Sequence, residues 1–261
     1  MPQLEEAKAL VVLPPAAARR IIARGVAALP QVQRALAEGL VVVTLGSTNA
    51  YVAEELTGRP VAKARFCAGY VGEELAAVPA EERSEALVLR NGRPDRAAPP
   101  QVVAELAAGD VLVKGANLLD PRGACGVFMG SPTGGTVGTF AAAALARGVE
   151  VVIPISRAKS VHSHVADLAP ALGMGRLRRT SGLPVGLFPL MGRVMSEVEA
   201  VELLFGVRTK HVASDGVRPG TVVLLVSGEA AAVDRAFAEL TALAQAEPPL
   251  EFPGAHAGQP G

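Results

Sequence analysis

Leu40-Val41-Val42-Val43-Thr44-Leu45-Gly46-Ser47-Thr48-Asn49 is the stretch on which the reading of the whole chain turns. An Ala-rich helical segment stops at Gly39, and four apolar residues in a row follow, which predicts a strand buried on both faces, as in a parallel sheet. The run passes directly into Gly46-Ser47-Thr48, after which Tyr51, Val52 and Leu56 resume helical spacing. Strand, Gly-Ser-Thr loop, helix is the order found at anion-binding helix N-termini. There glycine lets the backbone approach, hydroxyls donate, and unpaired helix N–H groups face the ligand. The same residues also serve, with no ligand, as an N-cap behind a tight turn.

Further along, the pattern repeats. Pro99-Pro100 opens a short helix over Val102 to Leu106. A second buried strand, Val111-Leu112-Val113, ends in Lys114-Gly115-Ala116-Asn117-Leu118-Leu119-Asp120. A loop from Gly130 to Gly138 leads into a small-residue helix, Thr139 to Arg147, and then into the strand Glu150 to Ile155. Between the first two units, Ala86 to Leu89 followed by Asn91-Gly92 predicts a hairpin. Apolar strands alternating with helices, each strand followed by a polar or Gly-rich loop, predict an α/β fold. The expected architecture over residues 1–182 is a Rossmann-like, doubly wound, mainly parallel sheet with ligands at its carboxyl edge. From Leu183 the texture changes to β-α-β-β-α. Val185 to Leu190 reads as a strand, and Val194, Val198, Val201 and Phe205 share a helical face behind a Ser196/Glu199 capping box. Two strands follow, Val207 to Val212 and Thr221 to Val226, then a helix carrying Val233, Phe237, Leu240 and Leu243 on one side. This order predicts a smaller ferredoxin-like α+β module over 183–247, and residues 248–261 read as a loose tail.

Composition narrows the function. The 261 residues carry 25 Lys+Arg against 25 Asp+Glu, so the chain lacks the electrostatic footprint of a nucleic-acid or membrane-surface binder. Only 3% of residues are aromatic and none is Trp, so platforms for stacking bases are scarce. No apolar run approaches a membrane span, and the N-terminus, with Glu5 and Glu6 ahead of Val11, does not read as a signal peptide. Two distant cysteines, Cys67 and Cys125, read as small apolar fillers in a reduced, cytoplasmic protein, with neither a disulfide framework nor a metal site.

The candidate chemistry lies in the loops. Four glycines and three hydroxyl residues within Gly130 to Gly138 point to close backbone approach to something. Lys114 stands where open α/β sheets place ligand contacts; it can neutralise an anion, and Asn117 can orient one. Asp120 ahead of Pro121 is either a turn opener or a catalytic base. Arg157, Lys159, His162 and His164 form a local basic cluster after a strand, without the carboxylate or cysteine spacing of a metal site. His211 reads as a core or edge-strand residue, and His256 belongs to the tail.

Taken in order, these pieces resemble ribose-5-phosphate isomerase of the type A family, within the superfamily of glucosamine-6-phosphate deaminases and CoA transferases. The family's Gly-Thr-Gly-Ser-Thr phosphate loop is similar to Thr44-Leu45-Gly46-Ser47-Thr48. Its Asp-Gly-Ala-Asp-Glu-x-Asp is similar to Lys114-Gly115-Ala116-Asn117-Leu118-Leu119-Asp120. Its glycine-rich segment, its Ser-Lys and its Leu-Pro-Val-Glu-Val find counterparts at Gly130 to Gly138, Ala158-Lys159 and Leu183-Pro184-Val185-Gly186-Leu187. The resemblance spans roughly residues 30 to 226, and the departures fall on the chemistry. Lys114 and Asn117 stand where the family has carboxylates, and Phe128 to Phe140 contains neither lysine nor glutamate.

The expectation is therefore a pocket for a small anionic, phosphorylated metabolite without ordinary ribose-5-phosphate isomerase activity and without a cofactor. Gly46, Ser47, Thr48 and Asn49 would hold the anion, with Lys114, Asn117 and Lys159 around it and Gly134, Gly135, Thr136 and Gly138 closing over it. The alternative is an isomerase or transferase with relocated groups, Asp120 as base and Lys159 as electrophile. A third reading is a homo-oligomer formed through an edge strand of the C-terminal module.

Overall fold

Alternate residues of the central strands enter two different cores. Leu40 and Val42 pack with Leu112, Phe140 and Ala144, whereas Val41 and Val43 pack with Ile21, Tyr51 and Val201. A strand buried on both faces is why the quoted run is apolar throughout instead of alternating.

The computed structural model describes residues 6–214 and 218–250. In chain order it contains β1 (Ala7–Leu13), α1 (Pro15–Ala27), α2 (Pro30–Glu38), β2 (Leu40–Val43), α3 (Ser47–Thr57), β3 (Gly69–Val71) and β4 (Leu75–Ala77). Next come β5 (Leu87–Arg90), β6 (Arg93–Asp95), α4 (Pro99–Glu105), β7 (Val111–Val113), β8 (Leu118–Leu119), β9 (Cys125–Met129) and α5 (Gly135–Ala146). The remainder is β10 (Glu150–Pro154), α6 (Val165–Ala171), β11 (Gly186–Leu190), β12 (Arg193–Met195), α7 (Glu197–Phe205), β13 (Arg208–Ala213), β14 (Val222–Gly228) and α8 (Ala230–Ala246). The protein is thus mixed α/β, with eight α-helices among the described residues and a six-stranded sheet ordered β12-β10-β7-β2-β5-β6. The first four strands of that order are mutually parallel, and β5 and β6 are antiparallel additions. Helices α1, α3 and α7 cover one face, α4 and α5 the other. No helix among the described residues is long and apolar enough to cross a membrane.

Several expected elements form as read. The Asn91-Gly92 hairpin is β5-β6, with both turn residues at positive φ (49° and 72°), the requirement of a type I′ turn. The Ser196/Glu199 capping box is made, the Ser196 N–H donating to Glu199 Oε2 at 2.8 Å, and Gly206 ends α7 in the left-handed region. Asp110 explains why the chain before β2 needs glycine at position 39. Its carboxylate accepts the Leu40 N–H at 2.8 Å, and a Cβ on Gly39 would lie 2.8 Å from Asp110 Oδ1.

The C-terminal region differs from expectation. Its strands form no ferredoxin-like module of their own but are distributed over three sheets. β11 pairs antiparallel with β9, β12 joins the central sheet beside β10, and β14 lies between β13 and the N-terminal β1. β1, which takes one edge of β14, is apolar on both faces: Val11 and Leu13 enter the core while Leu10 and Val12 are 57% and 54% exposed, so the strand shows no alternation in sequence. Val194 belongs to β12, paired with Ile153, and α7 starts only after its Ser196 cap. In α8 the buried stripe is Val233, Ala236, Leu240 and Leu243, which leaves Phe237 at its flank, 44% exposed. His211 lies on β13, an edge strand, its ring bonded to Ser214 Oγ at 2.6 Å. Of the expected tail, residues 251–261, His256 among them, lie outside the described residues.

Candidate functional site

Three adjacent parallel strands, β2, β7 and β10, end at one edge of the sheet, and the segments leaving them meet around a cleft of about 480 Å³. Clefts of this size at the carboxyl edge are where open α/β sheets hold small molecules. Gly46, Ser47, Thr48 and Asn49 line it from β2, Lys114 and Asn117 from β7, and Lys159 from the turn after β10. Gly134, Gly135 and Thr136 close one side, and the β3-β4 hairpin with Leu183 and Val185 forms part of the remaining wall. Ten of the residues singled out from sequence are therefore in one place, although they come from four separate stretches.

Two helix N-termini open onto this cleft. At α3 the cap residue is Gly46, whose own N–H goes to Phe66 O at 2.9 Å and which has no side chain to cap the helix; of the first-turn N–H groups, that of Ser47 is directed at the Cys67 sulfur. At α5 the cap is Gly134 in the left-handed region (φ 76°), followed by Gly135 at φ 56°, again with no side-chain cap. Three other helix starts are capped by side chains, α7 by Ser196, α8 by the Glu229 carboxylate, and α6 by Asp120 Oδ2, which accepts the Val165 N–H at 3.1 Å. Helices α1, α2 and α4 have no side-chain cap and begin at prolines, which lack an N–H. Uncapped first turns carry partial positive charge from their unpaired N–H groups.

Both lysines add to that potential. Lys114 is only 6% exposed, and its Nζ donates to Gly115 O at 3.2 Å. Lys159 is half-buried and donates to Ala116 O at 2.9 Å. Burial, and then the Lys159 ammonium, hold the Lys114 pKa down to about 8. Burial, and then the Arg19 guanidinium, hold Lys159 down to about 8. Neither forms an ion pair with a carboxylate among the described residues, although Glu197 lies within electrostatic reach of Lys159.

Asn49 is a strut. Its Nδ2 donates to Thr44 O at 2.8 Å, while Thr44 Oγ1 donates to Val113 O at 3.1 Å, which ties the ends of β2 and β7 together. The buried Asn49 Oδ1 has no partner and faces Gly115. Asn117 accepts the Phe128 N–H at 3.0 Å and thereby fixes β9 against the cleft.

Two expected contributors, Asp120 and Gly138, lie elsewhere, as does Arg157 of the basic cluster. Asp120 does not line the cleft. Its Oδ1 accepts the Arg122 and Ala124 N–H groups at 2.8 and 2.9 Å and its Oδ2 accepts Val165, so its carboxylate is committed to a turn and a helix start. Burial opposes its charge, but those backbone donors and the neighbouring His164 hold its pKa below the usual carboxylate range. Arg157 turns away, its guanidinium bonding Ser196 Oγ at 2.8 Å and Glu199 at 2.5 Å. Gly138 is required by the chain itself, since a Cβ there would lie 1.9 Å from Thr133 O. The close approach read into this loop is, at Gly138, approach to its own carbonyl. Gly138→Ala is expected to destabilise the fold by about 1–3 kcal/mol, measured as a lowered urea midpoint at unchanged slope.

Cys67 was read as a filler, but it lines the cleft, with its buried thiol donating to Gly69 O at 3.0 Å and the Ser47 N–H directed at its sulfur. Burial raises the thiol pKa. Behind the cleft, Arg19 faces Tyr51, Cys67 and Glu197, and Glu197 is fully buried with Oε1 unpartnered. No local spacing links residues 19, 67 and 197, so the sequence carried no signal for this group.

Comparison with known proteins finds no matching family model, no matching curated protein and no matching solved structure.

Proposed function

We propose that this protein binds a small anionic, phosphorylated metabolite in the cleft at the carboxyl ends of β2, β7 and β10, on a fold of the Rossmann-like doubly wound type. Four parallel strands with helices on both faces support the fold assignment. The observation that carries the functional reading is the convergence of two helix N-termini whose cap residues are glycines with the buried Lys114, which has no carboxylate partner among the described residues. A phosphate there gains several N–H donors and an ammonium in a partly dry site, where such interactions are stronger than in water. The resemblance to ribose-5-phosphate isomerases points to the same ligand class. Ordinary isomerase activity requires a base beside the substrate carbon; no carboxylate side chain lines the cleft, and Asp120 is committed elsewhere.

Inorganic phosphate and ribose 5-phosphate are expected to raise the melting temperature saturably, as ligands that bind only the native state do. No ketose should form from ribose 5-phosphate. Absence of any stabilisation by either compound would contradict the proposal.

The two lysines also set opposite pH trends. Because their folded pKa values, about 8, lie below the ordinary 10.5, the unfolded chain binds more protons between those values, and their contribution to the stability of the unliganded protein rises with pH there. Over the same interval the ammonium charge that holds the anion is lost. Phosphate-induced stabilisation is therefore expected to shrink as pH rises through about 8, whereas that lysine contribution to unliganded stability increases, which paired melting curves at each pH would show.

A further inference from the structure

Twenty of the chain's 25 basic residues are Arg and only five are Lys, yet both cations at the strand ends of the cleft are Lys. The third cation on its lining, Arg83, sits in another segment and donates to Val78 O at 2.5 Å. Arginine binds phosphate or carboxylate with a two-pronged fork and stays charged; what lysine adds is an amine that can lose its proton and attack a carbon. The two amines are held on consecutive carbonyls, Gly115 O and Ala116 O. Lys114 is buried, uses one of its three donors on a neighbouring carbonyl and has no carboxylate partner.

We propose that Lys114 is a covalent catalytic residue whose amine forms an imine with the aldehyde or ketone carbon of a small anionic substrate, the anionic group resting at the N-termini of α3 and α5. This inference rests on the anion-binding reading above and names the substrate class of the same cleft. The neutral Nζ gives its electron pair to the carbonyl carbon, a C–N bond forms, and the carbonyl π pair moves to oxygen, which takes up a proton. Nζ then loses a proton, and the hydroxyl leaves as water after protonation by the Lys159 ammonium. A cationic imine results, with nothing oxidised or reduced. That imine withdraws electrons from a bond on the adjacent carbon, which is the chemistry of carbonyl-activating lysines. The groups facing Lys114 are the Lys159 ammonium and the Cys67 thiol, with Arg19 and Glu197 behind Lys159. At pH 7 this environment leaves about one Lys114 amine in ten neutral, far more than for a lysine in water.

The test is reductive trapping of the whole protein with cyanoborohydride and either pyruvate or dihydroxyacetone phosphate, read by intact mass and peptide mapping. One adduct per chain is expected, on Lys114, saturating with probe concentration and suppressed by inorganic phosphate. Lys8, Lys63 and Lys210 should remain unmodified on the same timescale. The probe that traps identifies the anion as carboxylate or phosphate. Lys114→Arg and Lys114→Met should both abolish the adduct, and either variant that retains the wild-type circular dichroism spectrum suffices. No adduct, an adduct on Lys159 instead, or labelling spread over all five lysines overturns the inference. If phosphate still stabilises the protein in that case, the anion-binding reading survives; if phosphate fails to stabilise it, both fall together.

Discussion

Lys114→Met is expected to fold more stably than the unaltered protein and to lose its response to phosphate. A lysine held at a pKa of about 8 instead of 10.5 costs the native state about 3 kcal/mol at neutral pH. Methionine fills a similar volume with no charge to desolvate. After allowance for imperfect repacking, a gain of about 1–3 kcal/mol remains, or about 3–8 °C in melting temperature for a chain of this size. The advantage should be full below pH 8 and fade towards pH 10.5, because there the native-state Lys114 has already shed its proton. Loss of stability, as for an ordinary truncation of the core, would show that Lys114 is a structural cation. Retained phosphate binding would show that the anion lies elsewhere.

Asp120→Ala is expected to do the opposite, lowering stability substantially while leaving phosphate binding in place. The substitution strips acceptors from three backbone N–H groups, at residues 122, 124 and 165, and removes the side chain that caps α6. Losing charged hydrogen bonds of this kind costs about 1.5–3 kcal/mol each, offset in part by water reaching the freed donors. A net loss of about 2–4 kcal/mol in chemical denaturation follows. Because the native pKa is depressed, this contribution is complete above the unfolded carboxyl's pKa and disappears as pH falls through the native one. The wild type should therefore lose stability in that acid range more steeply than the variant. If Asp120 were instead the base of a relocated isomerase, Asp120→Asn would abolish turnover of ribose 5-phosphate that the wild type performs.

The contrast between these two residues shows what was legible in the sequence. Lys114 and Asp120 belong to one seven-residue motif, and spacing alone gave them similar standing. The side chain at the strand end projects into the cleft, while six residues later the chain has already turned to make β8 and β9. The strands that carry the site were readable because each is apolar on both faces and ends in a polar or glycine-rich loop. β1 was not readable as a partner of β14, since that pairing joins opposite ends of the chain and nothing local encodes it. Arg157 shows the same limit: two residues from Lys159, it bonds α7 and takes no part in the cleft. The glycines divide similarly, Gly134 and Gly135 supplying positive φ at a helix start and Gly138 making room for Thr133.

The central claim is that two helix N-termini and Lys114 form one anion site. The most direct measurement is a titration of the isotopically labelled protein with inorganic phosphate at pH 7, followed through backbone amide resonances. Saturable shifts concentrated at Ser47, Thr48, Gly135 and Thr136, and absent in Lys114→Met, are the predicted result. Shifts at only one helix, or scattered over the surface arginines without saturation, would contradict it.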